Sequence, residues 1–176
     1  MDCDEANKGW SYKGFAYAAK YGLMSKNDYH SSGEKSECHY NETEATHKNH
    51  GAHQEKHLSN EKLKKRVAKQ PVTVGIVVTE QLRSYKSGVL TEEFLGCSHA
   101  DKKIINHQVA LIGYGKTDSK HVQSSWCREF WIALNSWGTS WGEQGLMKVC
   151  MDRAGESKTP FGTCQLNRFP SYPTLE

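Results

Sequence analysis

Three apolar runs along the chain have the length and composition of buried β-strands. They begin at Val72 (VTVGIVV), Val109 (VALI) and Phe130 (FWIAL), and a shorter run, LMKV, follows from Leu146. Each is rich in β-branched or aromatic residues, and the flanking segments are polar or contain glycine or proline. The pattern therefore predicts strands in the second half of the chain.

Two other stretches have the spacing of short helices. GFAYAAKYGL, from Gly14, is rich in alanine, and Gly22 is placed to end a helix there. NEKLKKRVAKQ puts Leu63, Val67 and Ala68 on one helical face. Asn60 is a candidate N-cap for this second helix, which Pro71 would stop.

Residues 30–57 are polar and have no hydrophobic period, which predicts a loop or an extended segment. The segment contains four histidines, at positions 47, 50, 53 and 57, and imidazole is a common metal ligand. No cysteine or carboxylate completes a recognisable ligand spacing. We therefore predict a solvated loop, with no metal site and no cofactor.

Composition excludes several classes of function. The chain has 176 residues, enough for one ordinary domain, and its mean hydropathy of −0.75 is polar for that size. A net charge of +3, carried by scattered basic residues, does not indicate nucleic-acid binding. No apolar run is long enough to span a bilayer, and residues 1–20 do not have the pattern of a signal peptide.

The six cysteines form an even set without CxxC spacing, which favours disulfides over zinc or redox chemistry. Disulfides imply an oxidising compartment, although no export signal is present. The simplest reconciliation is that the signal lies in an N-terminal segment absent from this sequence.

The most informative stretch is FWIALNSWGTSWGEQG, from Phe130 to Gly145. Its apolar strand ends at Asn135, and Trp-Gly pairs then begin at Trp137 and Trp141. The glycines permit tight turns while the indoles supply large rigid surfaces. A polar amide at the end of a buried strand is suited to holding another side chain, and His107, in INHQVALIGYG, is the candidate.

NHQVALIGYG followed by FWIALNSWGTSWGEQGLMKV resembles the His and Asn segments of papain-like (C1-type) cysteine peptidases. The resemblance implies an α+β fold: a right-hand antiparallel β-barrel-like domain plus the rear part of a left-hand helical domain. Residues 1–53 would be the remnant of the left domain with the crossover, and 54–176 the right domain with its C-terminal arm. His107 would be the base, Asn135 its orienter and Trp137 the cover over their bond.

The nucleophile of this family is not found in the chain. In the family it lies roughly 130–150 residues before the His and Asn, which places it before Met1. No Cys-Gly-Ser/Ala-Cys-Trp stretch occurs, and the oxyanion Gln would belong to the same absent part. Trp10 stands where a cysteine is expected, and Ser11-Tyr12-Lys13 replaces Asn-Gly-Gly. We therefore expect a peptidase homologue that is proteolytically inactive as a lone chain.

Two alternatives remain open. One is the heavy chain of a two-chain active cysteine endopeptidase, in which a second chain supplies the nucleophile and peptide is a substrate only after that complementation. The other is a binding or scaffold subunit whose protein partner covers the face left by the missing helix. The family resemblance places all three in a vacuolar, lysosomal or extracellular setting.

The resemblance also implies cleft residues and disulfides. The cleft residues are Gly75, Gln108, Trp141 and Tyr12, and glycine and glutamine at the first two make the S2 pocket more polar than usual. The implied disulfides are Cys3–Cys38 and Cys97–Cys164. Cys127 and Cys150 lie outside the family framework, and either an extra disulfide or two partly buried thiols fits their positions.

Overall fold

The computed structural model describes residues 9–29, 37–97, 105–117, 127–151 and 161–174. The chain forms two compact units, residues 1–54 with 171–176 (unit 1) and residues 55–170 (unit 2). The C-terminal residues thus group with unit 1. The family-based division at residues 53 and 54 stays a prediction. No helix among the described residues is both long and apolar enough to cross a bilayer.

Unit 1 contains helix α1 (Ser11–Tyr21) and two antiparallel strands, β1 (Gly51–Gln54) and β7 (Ser171–Thr174). The helix begins three residues before the predicted start at Gly14, so Tyr12 lies in its first turn. It ends where predicted. Gly22 has φ +82° and donates its N–H to Ala18, and a Cβ there would collide with the carbonyl oxygen of Ala45.

Unit 2 carries the remaining elements. Its α-helices are α2 (Asn60–Val67), α3 (Glu80–Arg83) and α4 (Glu92–Leu95), and a short 3₁₀ helix spans Thr163–Gln165. Its strands are β2 (Val72–Ile76), β3 (Val89–Leu90), β4 (His107–Lys116), β5 (Glu129–Leu134) and β6 (Leu146–Cys150). Within the unit the strands lie in the order β2–β4–β5–β6–β3, antiparallel except for the parallel β3–β6 pair. The expected mixed α+β class is confirmed.

The three predicted apolar runs form β2, β4 and β5, and they supply part of the core of unit 2. Side chains alternate between the two faces of each strand, and Trp131 on β5 is 1% exposed. The largest fully buried side chains among the described residues all lie in this unit: Trp131, Leu63, Ile76, Leu82, Leu95, Leu111, Met147, Leu166, Gln165, Val72, Val74 and Val149. Unit 2 therefore has a hydrophobic core of its own.

The predicted cap of α2 is wrong by one residue. Ser59 is the N-cap, and its hydroxyl accepts a hydrogen bond from the Lys62 N–H at 3.3 Å. Serine and asparagine both serve as N-caps, so the sequence did not distinguish the two positions. Asn60 instead donates its side-chain amide to the carbonyl oxygen of Met151. Ala68 lies after the helix and is exposed, whereas Leu63 and Val67 are buried as predicted.

The structure contains two disulfides in unit 2. Cys97 is joined to Cys164, and Cys127 is joined to Cys150. Of the two alternatives left open by the sequence, the structure has the extra disulfide, in which Cys127 lies three residues before Phe130, the residue that pairs with Cys150. Cys3 lies outside the described residues.

Candidate active site

Strands β4 and β5 bring His107 and Asn135 together. His107 is the first residue of β4, and Asn135 directly follows the last residue of β5. Because the strands run antiparallel with Ala110 opposite Leu134, the start of one lies beside the end of the other. The His107 Nε2 atom and the Asn135 Oδ1 atom are 2.8 Å apart.

A second amide holds the beginning of β4 in place. Asn106 accepts a hydrogen bond from the Val78 N–H at 2.7 Å and donates its side-chain amide to the Val78 carbonyl at 3.3 Å. The neighbouring residue, His107, pairs with Ile76 on β2. These bonds tie the His107 backbone to the chain that leaves β2, so the imidazole projects from a fixed strand rather than from a loop.

The hydrogen bonds of Asn135 determine which nitrogen of His107 carries the proton. Asn135 is 7% exposed, and its own N–H donates to the Gly145 carbonyl at 2.9 Å. Its Oδ1 also accepts the N–H of Ser136 at 2.8 Å. Because a backbone N–H can only donate, this bond shows that the side-chain oxygen of Asn135, rather than its nitrogen, faces Ser136 and His107. His107 must therefore donate through Nε2–H, and Nδ1 is the nitrogen that can take up a proton.

Two tryptophans form an aromatic stack beside His107. The Trp137 ring is stacked on His107, with centroids 5.1 Å apart and an interplanar angle of 28°. Trp141 meets Trp137 edge to face at 5.0 Å and donates its indole N–H to the Arg83 carbonyl at 3.1 Å. The Arg83 guanidinium lies over the Trp137 ring, 5.8 Å from its centroid. That this stack limits the access of water to the His107–Asn135 bond stays a prediction.

A polar cluster behind the tryptophans was not predicted from the sequence. It consists of Tyr85, Glu143, Lys148 and the backbone of Gly88. Tyr85 is 3% exposed, packs on Trp141 at 5.5 Å, and its hydroxyl lies 3.0 Å from the Glu143 carboxylate. The carboxylate also accepts the Gly88 N–H at 3.0 Å and the Lys148 ammonium at 2.7 Å.

The ionisation of this cluster follows from its environment. Burial acts to raise the pKa of Glu143, but the hydrogen bonds from Lys148, Gly88 and Tyr85 outweigh it and lower the pKa below the ordinary value of 4.5. Burial, reinforced by the negative charge of Glu143, raises the pKa of Tyr85. At neutral pH the cluster is therefore an ionised carboxylate with an ammonium and a neutral phenol as partners.

The proposed cleft residues are found in several places. Gly75 on β2 pairs with Gln108 on β4, so these two lie side by side next to His107. A Cβ on Gly75 would come 2.7 Å from the side chain of Ile105, which occupies the space beside the glycine. Ile105 is thus an apolar neighbour of the predicted pocket that the sequence reading did not identify. The substrate-binding role of Gly75 and Gln108 stays a prediction.

Trp141 and Tyr12 are placed differently. Trp141 is only 8% exposed and is mainly part of the aromatic stack. Tyr12 lies in the first turn of α1 in unit 1 and is half-buried. A role in the cleft stays a prediction for both.

No cysteine in the described part of the chain has a free thiol. Cys97, Cys127, Cys150 and Cys164, the four in unit 2, are paired in disulfides. The described ranges also contain no group of three or more His, Cys, Asp or Glu residues placed to hold a metal ion. The described part of the site is therefore the hydrogen-bonded His107–Asn135 pair, and no described free thiol accompanies it.

Comparisons with known proteins agree with this geometry. The family described as papain family cysteine protease matches residues 1–174. Zingipain-2 from Zingiber officinale is 30% identical, over 98% of this chain and 72% of its own length. The senescence-specific cysteine protease SAG12 from Arabidopsis thaliana is 33% identical, over 88% of this chain and 40% of its own length.

The fold agrees as well. The structure of bromelain from Ananas comosus in complex with the E64 inhibitor superposes with a TM-score of 0.73 at 27% identity, covering 96% of this chain and 71% of that one. The architecture and the His–Asn–Trp arrangement define the class of protein: the chain is an α+β homologue of thiol-dependent hydrolases. More specifically, the chain belongs to the papain family of cysteine proteases. It spans only 26%, 40% and 27% of the length of three plant relatives that it matches.

Proposed function

We propose that this chain carries the base half of a cysteine-peptidase site and that the 176-residue polypeptide alone does not hydrolyse peptide bonds. The observation that carries the proposal is the Asn135–His107 hydrogen bond of 2.8 Å, with Trp137 stacked on His107. The described residues include no free thiol beside this pair. In this mechanism the base takes a proton from a thiol nucleophile, and none of the described cysteines has a free thiol for that role.

The chemistry assigned to each residue follows from the geometry. His107 would take the proton of a thiol through Nδ1, because Nε2 is engaged by Asn135. Asn135 would keep the imidazole in the tautomer and orientation that this transfer needs, as the carboxylate does in a Ser-His-Asp triad. Trp137 would keep water from competing for the Nε2–H bond. The imidazolium would then return the proton to the leaving amine of a peptide.

The direct test is labelling by an epoxide probe directed at active-site thiols, read by intact mass. The refolded, oxidised chain is compared with His107→Ala, and with His53→Ala as a control histidine in unit 1. We expect no labelling and no peptide hydrolysis by any of the three proteins. Labelling of one cysteine that is lost in His107→Ala and kept in His53→Ala would overturn the proposal of an inactive lone chain.

A second candidate function is favoured by one observation, namely that the His–Asn–Trp arrangement is fully formed. The chain would then be the heavy chain of a two-chain endopeptidase, and a separate polypeptide would contribute the nucleophilic Cys and the oxyanion Gln. The test is coexpression with the corresponding N-terminal segment of a papain-family relative. Labelling in the complex that depends on His107 would support this function, and a stable complex that is not labelled would contradict it.

The proposed setting is an oxidising compartment, vacuolar, lysosomal or extracellular. It is supported by the two disulfides of unit 2, because such bonds persist where thiols are not kept reduced. Mass spectrometry under non-reducing conditions, on protein isolated from its native source, tests this. Free thiols at Cys97 and Cys164 would contradict the proposed compartment.

A further inference from the structure

Glu143 is joined to the candidate active site by a continuous series of contacts. The Tyr85 hydroxyl lies 3.0 Å from its carboxylate, and the Tyr85 ring packs on Trp141. Trp141 meets Trp137 edge to face, and Trp137 is stacked on His107. Each ring in this series contacts the next at 5.0–5.5 Å between centroids.

The carboxylate joins the segment between α3 and β3 to strand β6. It accepts the Gly88 N–H and the Lys148 ammonium, and it lies 3.0 Å from the Tyr85 hydroxyl, which is also 2.7 Å from the Gly88 carbonyl oxygen. Hydrogen bonds to a charged acceptor are stronger than those between neutral groups. Three such bonds to one carboxylate restrict the position of Tyr85 against the loop that carries both tryptophans.

The loop leaves little room for Tyr85 to move. Gly142 has φ +58°, and a Cβ at that position would come 3.1 Å from the Tyr85 ring. The phenol is therefore confined between the Glu143 carboxylate and the backbone at residue 142. The indole N–H of Trp141 is fixed separately, by the Arg83 carbonyl.

We propose that Glu143 is a positioning residue for His107, which it reaches through Tyr85, Trp141 and Trp137 without touching the reacting atoms. Its carboxylate holds Tyr85 in place, Tyr85 holds Trp141, and the two indoles keep the His107–Asn135 bond shielded. The inference rests on the proposed function only in taking the His107–Asn135 bond as the one that orients the base. The shielding itself is a property of the isolated chain.

The test is the state of the His107 ring in the full chain, followed by NMR in Glu143→Gln. The nitrogen chemical shifts report the tautomer, and exchange of the Nε2 proton with water reports the shielding. We expect this exchange to be faster by on the order of tenfold in Glu143→Gln, because one aromatic contact in the stack is weakened. Tyr85→Phe, which keeps the ring and loses the hydroxyl, should give a smaller change in the same direction.

Glu129→Gln is the matched control. Glu129 has the same side-chain exposure as Glu143, 30%, and it also pairs with a lysine, Lys64, at 2.9 Å, but it does not contact the aromatic stack. A purely structural role would make the two glutamate variants alike in their effect on His107. Equal exchange rates in both variants, or an unchanged rate in Glu143→Gln, would overturn the proposal. Neither result depends on whether the epoxide probe labels the chain.

Discussion

At the scale of single residues, the amide of Asn135 is the group on which the candidate site depends most directly. In Asn135→Ala, His107 loses the acceptor for Nε2–H and Ser136 loses the acceptor for its N–H. We expect the imidazole to populate both tautomers, and the free energy of unfolding to fall by about 1–3 kcal/mol because two hydrogen bonds to the amide oxygen are lost. Nitrogen NMR of His107 and denaturant unfolding measure the two effects.

Asn167→Ala provides a control for this variant. Asn167 is also buried, at 3% exposure, and donates to the Leu58 carbonyl and to Asn60 within the same unit. It should lose comparable stability and leave the His107 tautomer unchanged. If it altered that tautomer as Asn135→Ala does, the effect would be one of general loosening and the orienting role of Asn135 would be wrong.

Two glycines in the tryptophan loop allow a paired prediction. Gly138 and Gly142 both have positive φ, +84° and +58°, so alanine at either is strained by roughly 1–2 kcal/mol. Only at Gly142 would the added Cβ meet other atoms, the Leu146 carbonyl oxygen at 2.5 Å and the Tyr85 ring. Gly142→Ala should therefore destabilise by at least about 1 kcal/mol more than Gly138→Ala. Equal midpoints of urea unfolding, at equal m-values, would show that the close contact is relieved without cost.

At the scale of elements, local patterns predicted the strands but not the contacts between distant segments. The apolar runs gave β2, β4 and β5, and the residues at their ends gave the His107–Asn135 pair. The Tyr85–Glu143 contact was not predicted, since it joins residues 58 positions apart that come together through the parallel β3–β6 pairing. A two-residue strand such as β3 leaves almost no periodic signal in a sequence.

The disulfide between Cys127 and Cys150 was unresolved at the sequence level for the same reason. Which cysteines meet depends on the register of β5 and β6, and a register shift of one residue moves every side chain to the opposite face. The cap of α2 shows a different limit, because Ser59 and Asn60 are adjacent and both residue types serve as caps. The contact between Ile105 and Gly75 could likewise not be predicted, because it depends on the path of the chain just before β4.

The cluster that links the β3 segment with β6 should make stability depend on pH. The pKa of Glu143 in the folded chain is below its ordinary value of 4.5, so the unfolded chain binds a proton there more readily. Its contribution to the free energy of unfolding is therefore complete above about pH 4.5 and is lost as pH falls through the folded pKa. Relative to the native chain, Glu143→Gln should be less stable by about 1.5–3 kcal/mol at neutral pH.

This difference should shrink progressively in acid. Urea unfolding of both proteins between neutral pH and pH 3 measures it. Glu80→Gln serves as a control, because the Glu80–Arg83 ion pair is exposed and should contribute little at any pH. A difference for Glu143→Gln that is the same at every pH would mean that the carboxylate charge does not hold the cluster together.

At the scale of the whole molecule, unit 2 has what an independently folding domain requires. It contains both described disulfides, all of the largest fully buried side chains among the described residues, and the His107–Asn135 pair. We therefore predict that a fragment of residues 55–170 folds by itself with a cooperative unfolding transition, a near-UV circular dichroism signal from its tryptophans, and the Nε2–H tautomer of His107. The same fragment with Trp131→Ala, which removes the largest buried side chain, should lose several kcal/mol and serves as the comparison for a disrupted core. A native-sequence fragment that unfolds gradually and lacks the near-UV signal would show that the core of unit 2 is insufficient without residues 1–54 and 171–176, and that the candidate site depends on the entire chain.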